Sequence, residues 1–99
     1  MIIVFTDQSI KSLQEILDFL ASKLPDNKIK EIRDGILDAR DILYKNPSAG
    51  QFEPYLEHLN LNHRRIVFNH YKIIYRIEGS YIIITDIFDS RQEPDKMKA

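Results

Sequence analysis

Two periodicities divide the chain. Over residues 7–24, Ile10, Leu13, Leu17, Leu20 and Leu24 recur at intervals of three and four, and over residues 26–46 Ile29, Ile32, Ile36, Ala39 and Leu43 do the same. That spacing lays one apolar stripe along each of two helices. Thr6 and Asp7 offer side-chain oxygens to the first free amides of the leading helix, and Pro25-Asp26 separates the pair. Asn46-Pro47 stops the second helix, because the residue before a proline disfavours the α region. From residue 63 the period becomes two. Residues 63–68, 71–78 and 81–88 read as strands joined by the two-residue turns Asn69-His70 and Gly79-Ser80. Residues 1–6, with Ile2, Ile3, Val4 and Phe5 in succession, read as one more strand.

The order β-α-α-β-β-β predicts an α+β fold: a small, mainly antiparallel sheet with a helical hairpin packed on one face. A free coiled coil would need ~3–4 heptads of apolar repeat, and each stripe lasts about two. If Glu78 lies opposite Tyr81, then Tyr71, Ile73, Tyr75 and Ile77 share the apolar side with Ile82, Ile84, Asp86 and Phe88. Lys72, Ile74, Arg76 and Glu78 then share the other side with Tyr81, Ile83, Thr85 and Ile87, and His63, Arg65 and Val67 extend it. Arg65 and Arg76 become diagonal neighbours on that open face. The segment 45–62 is the main irregular stretch, and Phe52, Tyr55, Leu56, Leu59 and Leu61 make it too apolar for a solvated tether. It should be pinned to the body by its aromatics, and a loop held in that way can carry function. The first strand should pair, since an isolated apolar strand is an aggregation edge. Whether it joins the sheet at its edge or its middle is left open by periodicity.

Length and charge narrow the functional classes. The 99 residues, 43% of them hydrophobic, suit one domain spanning 1–99, with residues 89–99 as a charged tail. A net charge of -1 gives no global field of the kind that draws a chain to nucleic acid or a membrane, so any basic site must be local. The absence of cysteine removes thiolate catalysis and cysteine-bound zinc, and it fits the cytoplasm. MIIVFTDQS has no positive n-region and is too short to span a bilayer.

Candidate chemistry is sparse. His58, His63 and His70 lie on a loop and at the two ends of one strand without carboxylates at metal-ligand spacing, so no metal site is expected. No G-x-S-x-G elbow and no glycine-rich phosphate loop occurs, and with three glycines no cofactor cradle is expected. Asp86, placed on the apolar side, must be hydrogen-bonded or paired. What remains are Arg64, Arg65, Arg76 and Arg91. If Arg65 and Arg76 share the open face and Arg91 leaves the end of the adjacent strand, the three together can hold a phosphate or a partner's carboxylate.

The stretch HRRIVFNHYKIIYRIEGSYIIITDIFDSRQEPDKM, preceded by two helices and a loop containing NPSAG, resembles the RelE/ParE superfamily of toxins from type II toxin–antitoxin modules, the plasmid-stabilisation type. The most specific pieces are YKIIYRIEG and IFDSRQEP, the latter similar to the ParE-like branch. The resemblance implies a toxin whose open sheet face and C-terminal end form the target-binding surface and whose cognate antitoxin wraps around it. It implies assembly as a homodimer or a toxin–antitoxin hetero-oligomer. ParE-like members poison DNA gyrase; RelE-like members cut mRNA on the ribosome without metal. Arg65 or its neighbour Arg64, Arg76 and Arg91 fall where the family places arginines. The target-binding set it implies is Arg65, Arg76, Asp89, Ser90 and Arg91; a nuclease would draw on Arg65, Arg76, Arg91, His63 and Asp89. The segment 46–62 lacks the lysines of ribosome-dependent nucleases and carries Glu53 and Glu57 instead, and Asp89 stands where relatives often have histidine. Docking on a ribosome draws on several Lys/Arg contacts to phosphates. The low charge therefore favours gyrase over the ribosome as the target, and a third reading is an inactive or repurposed member that only binds a partner protein.

Overall fold

Four consecutive β-branched or aromatic residues form β1 (Ile2–Phe5) in the computed structural model, which describes residues 1–99. Thr6 caps α1 (Asp7–Ala21): its hydroxyl accepts the Ser9 N–H at 3.1 Å, while the Ser9 hydroxyl donates to the Thr6 carbonyl at 2.8 Å. The helix ends three residues before the expected boundary, with the N–H groups of Lys23 and Leu24 both turned back to Leu20 O. Ile10 proves exposed, and Ile16 packs on the core with Leu13.

The second helix is two. α2 (Asp26–Leu37) and α3 (Ala39–Lys45) meet at Asp38. In a continuous helix the Leu37 carbonyl would accept the Asp41 N–H. Here it accepts Arg40 Nε at 3.1 Å, and the Asp41 N–H goes to Asp38 O at 3.0 Å. A side chain has entered the ladder, and the helix kinks there. The stripe survives the break, since Ile36, Ala39 and Leu43 are all buried.

The sheet holds five strands in the order β1-β5-β4-β3-β2. The expected three-stranded meander is present as β3 (Arg64–Phe68), β4 (Tyr71–Glu78) and β5 (Tyr81–Asp89), with Phe68 opposite Tyr71 and Glu78 opposite Tyr81. Asn69 and Gly79 supply the positive φ at the first turn positions. β1 lies at the edge, parallel to β5. At the opposite edge the irregular segment contributes β2 (Gln51–Phe52), paired with Arg64 and Arg65, and then a 3-10 turn (Pro54–Leu59). That segment is not pinned by its aromatics. Phe52 and Tyr55 are exposed; Leu56 and Glu53 are the residues that go inside.

One residue alters the facing of β5. Tyr75 opposes Ile84 but Ile74 opposes Asp86, so Thr85 is an extra residue, a β-bulge. Beyond it the side chains exchange sides. Asp86 and Phe88 fall on the side of Lys72 and Ile74, and Ile87 joins the helix-side core, contrary to the unbroken alternation expected from sequence. Both faces are therefore apolar in part. The helix side buries Ile36, Leu43, Ile73, Tyr75, Ile82 and Ile84; the other side holds a smaller cluster of Leu56, Ile74, Phe88 and Met97.

Tyr75 ties the sheet to the loop after α3. Its hydroxyl donates to Pro47 O at 2.8 Å and accepts the buried Gly50 N–H at 2.9 Å. A Cβ on Gly50 would stand 2.6 Å from Arg65 O and 2.8 Å from the Tyr75 ring, so only glycine lets the loop lie this close. Tyr75→Phe strands both partners and is expected to cost about 1–3 kcal/mol in urea unfolding. A smaller loss would mean that water replaces the hydroxyl.

Candidate functional site

β3 and β4 place His63, Arg65, Ile74 and Arg76 on the face away from the helices, as the register implies. Arg64, one residue along, turns the other way. It donates to Gly50 O at 2.7 Å and to Ser48 O at 3.3 Å, and its guanidinium stacks 4.0 Å from the Phe52 ring centroid. Of the two neighbouring arginines, only Arg65 belongs to the open face.

On that face lies a buried residue that stands out in the sequence only as an acid where ribosome-dependent nucleases carry lysines. Glu53, 1% exposed, receives Lys72 Nζ at 2.8 Å and the Tyr55 N–H at 3.2 Å, with Arg65 Nε at 3.9 Å. Its position just before Pro54, at the mouth of a 3-10 turn, was the available signal: a side chain there caps the turn. Arg65 also donates to Phe52 O and, at 3.3 Å, to Gln51 Oε1. Arg76 points to Glu78 at 2.7 Å. Each arginine is thus occupied with a different neighbour.

His63 is enclosed beside this network, with both ring nitrogens buried and without a hydrogen-bond partner. Burial, and then the charge of Arg76, hold its pKa below the ordinary 6.5. The unfolded chain therefore binds this proton more readily than the folded one. The stability His63 confers is complete above pH 6.5 and is lost as pH falls through the lowered value. Thermal unfolding followed between about pH 5 and 8 should show Tm dropping on the acid side. In His63→Leu that drop should shrink; an unchanged profile would assign it to other groups.

The second cluster lies at the far end of the sheet. Tyr71 opposes Asp89, so Arg91 leaves the sheet where β4 begins, and Arg76 stands five residues further along β4. At ~3.3 Å per residue that is roughly 17 Å. The grouping of Arg65, Arg76 and Arg91 around one anion is not found, because the strand separates them.

At this end the backbone turns at once: Ser90 N–H donates to His70 O at 2.8 Å and Gln92 N–H to Asp89 O at 3.0 Å. Ser90 itself is exposed. The turn lets Arg91 fold back on Asp89, with Nε to Oδ1 at 3.0 Å and Nη2 to Oδ2 at 2.8 Å, while the Arg91 N–H also reaches Oδ1 at 3.0 Å. These bonds hold the Asp89 carboxyl below the usual carboxylate range and raise the guanidinium. Burial and the Asp89 charge raise the Tyr71 phenol. Arg91 remains exposed at 59% of its side chain, and its Nη1 and the outer proton of Nη2 are free to donate. A fork positioned in this way can take a carboxylate or a phosphate. Between this turn and one side of α1 runs a cleft lined by Ser12, Glu15, Phe19, Asp86, Arg91 and Lys98 among others.

A family model for the ParE toxin of the type II toxin–antitoxin system parDE matches residues 3–94. The solved chromosomal ParDE TA system from P. aeruginosa contains a chain that superposes with a TM-score of 0.70, covering 90% of this chain and 95% of its own at 19% identity. That likeness is one of fold. No protein of curated function matches the chain.

Proposed function

The chain belongs to the ParE toxin family of type II toxin–antitoxin systems, and on that premise we propose that it poisons DNA gyrase and is neutralised by a cognate antitoxin. Residues 1–99 act as one toxin domain, since the first strand pairs directly with the last. The observation that carries the reading is Arg91, held by Asp89 at the tip of a tight turn with donors to spare. It is a contact for a protein surface. The groups a nuclease would need for moving protons are poorly disposed: the His63 nitrogens are enclosed, and both Asp89 carboxylate oxygens are taken by Arg91. Arg65 and Arg76, tied to Glu53 and Glu78, shape the open face beside the target. No helix is long and apolar enough to cross a membrane, and gyrase as the target places the protein's action in the cytoplasm.

Inducing the chain alone in bacteria, and following labelled thymidine and labelled methionine over the first minutes, tests the target. An earlier fall in thymidine, accompanied by DNA breaks, supports gyrase. An earlier fall in methionine with cleaved ribosome-bound message would replace it by the mRNA endonuclease activity of the RelE branch.

A further inference from the structure

The sheet face opposite the helices owes part of its cover to the last residues of the chain. Pro94–Lys96 make a single 3-10 turn, after which the Met97 side chain enters the cluster of Leu56, Ile74 and Phe88 and is left 7% exposed. Two hydrogen bonds join residues 94–99 to the sheet: Lys98 N–H to Asp86 Oδ2 at 2.9 Å, and Thr85 Oγ1 to Lys98 O at 3.5 Å. The second is long. Lys96, Lys98 and Ala99 on either side of Met97 are exposed. One thioether is therefore the main anchor of residues 94–99 on the sheet.

A segment bonded this thinly opens locally at a small fraction of the cost of global unfolding. In the open state the sulfur meets solvent. Met97 is one of two methionines, the other being Met1, and the chain has no cysteine to compete for an oxidant.

We propose that residues 94–98 are a strap released by oxidation of Met97, with a peroxide as the oxidant. The thioether lone pair attacks one peroxide oxygen, the O–O bond breaks, and a sulfoxide and water result. Sulfur loses two electrons and the peroxide gains them. The new S–O group is polar and strongly accepting, and Leu56, Ile74 and Phe88 offer it no donor. Closing the strap would then bury an unpaired acceptor, so the oxidised chain stays open. The Asp86 bond to Lys98 is lost with it, and an apolar patch on the sheet is uncovered. A methionine sulfoxide reductase, whose thiols supply two electrons and are oxidised to a disulfide as the oxygen leaves as water, restores the thioether and lets the strap close.

The full-length protein is treated with hydrogen peroxide, oxygen addition at each methionine is followed by peptide mass spectrometry, and binding of a dye for apolar surface is read in the same samples. Met1, 49% exposed, is the internal standard. Met97 should oxidise roughly ten- to a hundredfold more slowly than Met1, as local opening requires. Dye binding should rise in proportion to Met97 oxidation and fall again after the reductase. Met97→Leu should bind little dye with or without peroxide, and Met97→Gln should bind it without peroxide. Oxidation of Met97 only at the rate of global unfolding would overturn the proposal, as would full oxidation with no rise in dye binding. Should Met97→Gln unfold, the wild-type and Met97→Leu measurements decide alone.

Discussion

Glu53→Ala is expected to lower stability by about 3–5 kcal/mol, a large share of the ~5–15 kcal/mol that holds a typical domain together. The carboxylate is fully enclosed and lies 2.8 Å from Lys72 Nζ, whose side chain is itself only 17% exposed. Alanine leaves that ammonium largely buried with no anion, and it removes the acceptor for the Tyr55 N–H that starts the 3-10 turn. Lys72 has some relief from the Tyr55 ring, 5.4 Å away, but a ring face does not replace a full negative charge. Urea unfolding measures the loss. Lys72→Met added to Glu53→Ala should recover part of it, because the stranded charge is gone. If the double variant is no more stable than the single one, the cost lies in the turn and not in the ion pair.

Arg91→Ala, under the proposed gyrase reading, should weaken target poisoning about ten- to a hundredfold, the range of a charge-assisted contact. The fold should depend on it little. Arg91 is exposed and bonds only to Asp89 within its own turn, so thermal unfolding should shift only slightly, by the loss of that exposed pair. Arg91→Lys separates charge from geometry: an ammonium supplies the charge but not the planar fork, and should restore little. Retained toxicity in folded Arg91→Ala would remove this residue from the target surface. Asp89→Asn offers a cross-check, because it frees the guanidinium from its carboxylate without removing it.

Much of this architecture can be read from periodicity, and its failures have local causes. The meander was legible because two-residue turns fix the pairing of their strands. The Thr85 bulge was not, since Ile83, Ile84, Ile87 and Phe88 put apolar side chains in both phases of the alternation and either facing looks acceptable. The break at Asp38 was hidden because the apolar stripe runs through it, and the cause is a side-chain bond from Arg40 that leaves no periodic trace. The burial of Glu53 was not legible because its partners, Lys72 and Arg65, are remote in sequence and meet it only once the sheet forms. Arg65 and Arg76 were correctly placed on one face by register. Arg91 was grouped with them wrongly, because alternation tells sides apart but says nothing of distance along a strand.

The position of β1 bears on how the protein is made. Its only strand partner is β5, and Thr6 meets Thr85 across 79 positions of sequence. Contacts of such separation form late, after the entropy of closing the chain has been met. During synthesis β1 emerges before β5 and has no strand to pair with until residues 81–84 have been made. A truncated translation product ending before Tyr81 therefore cannot complete the sheet, and its apolar leading residues remain open to chaperones and proteases.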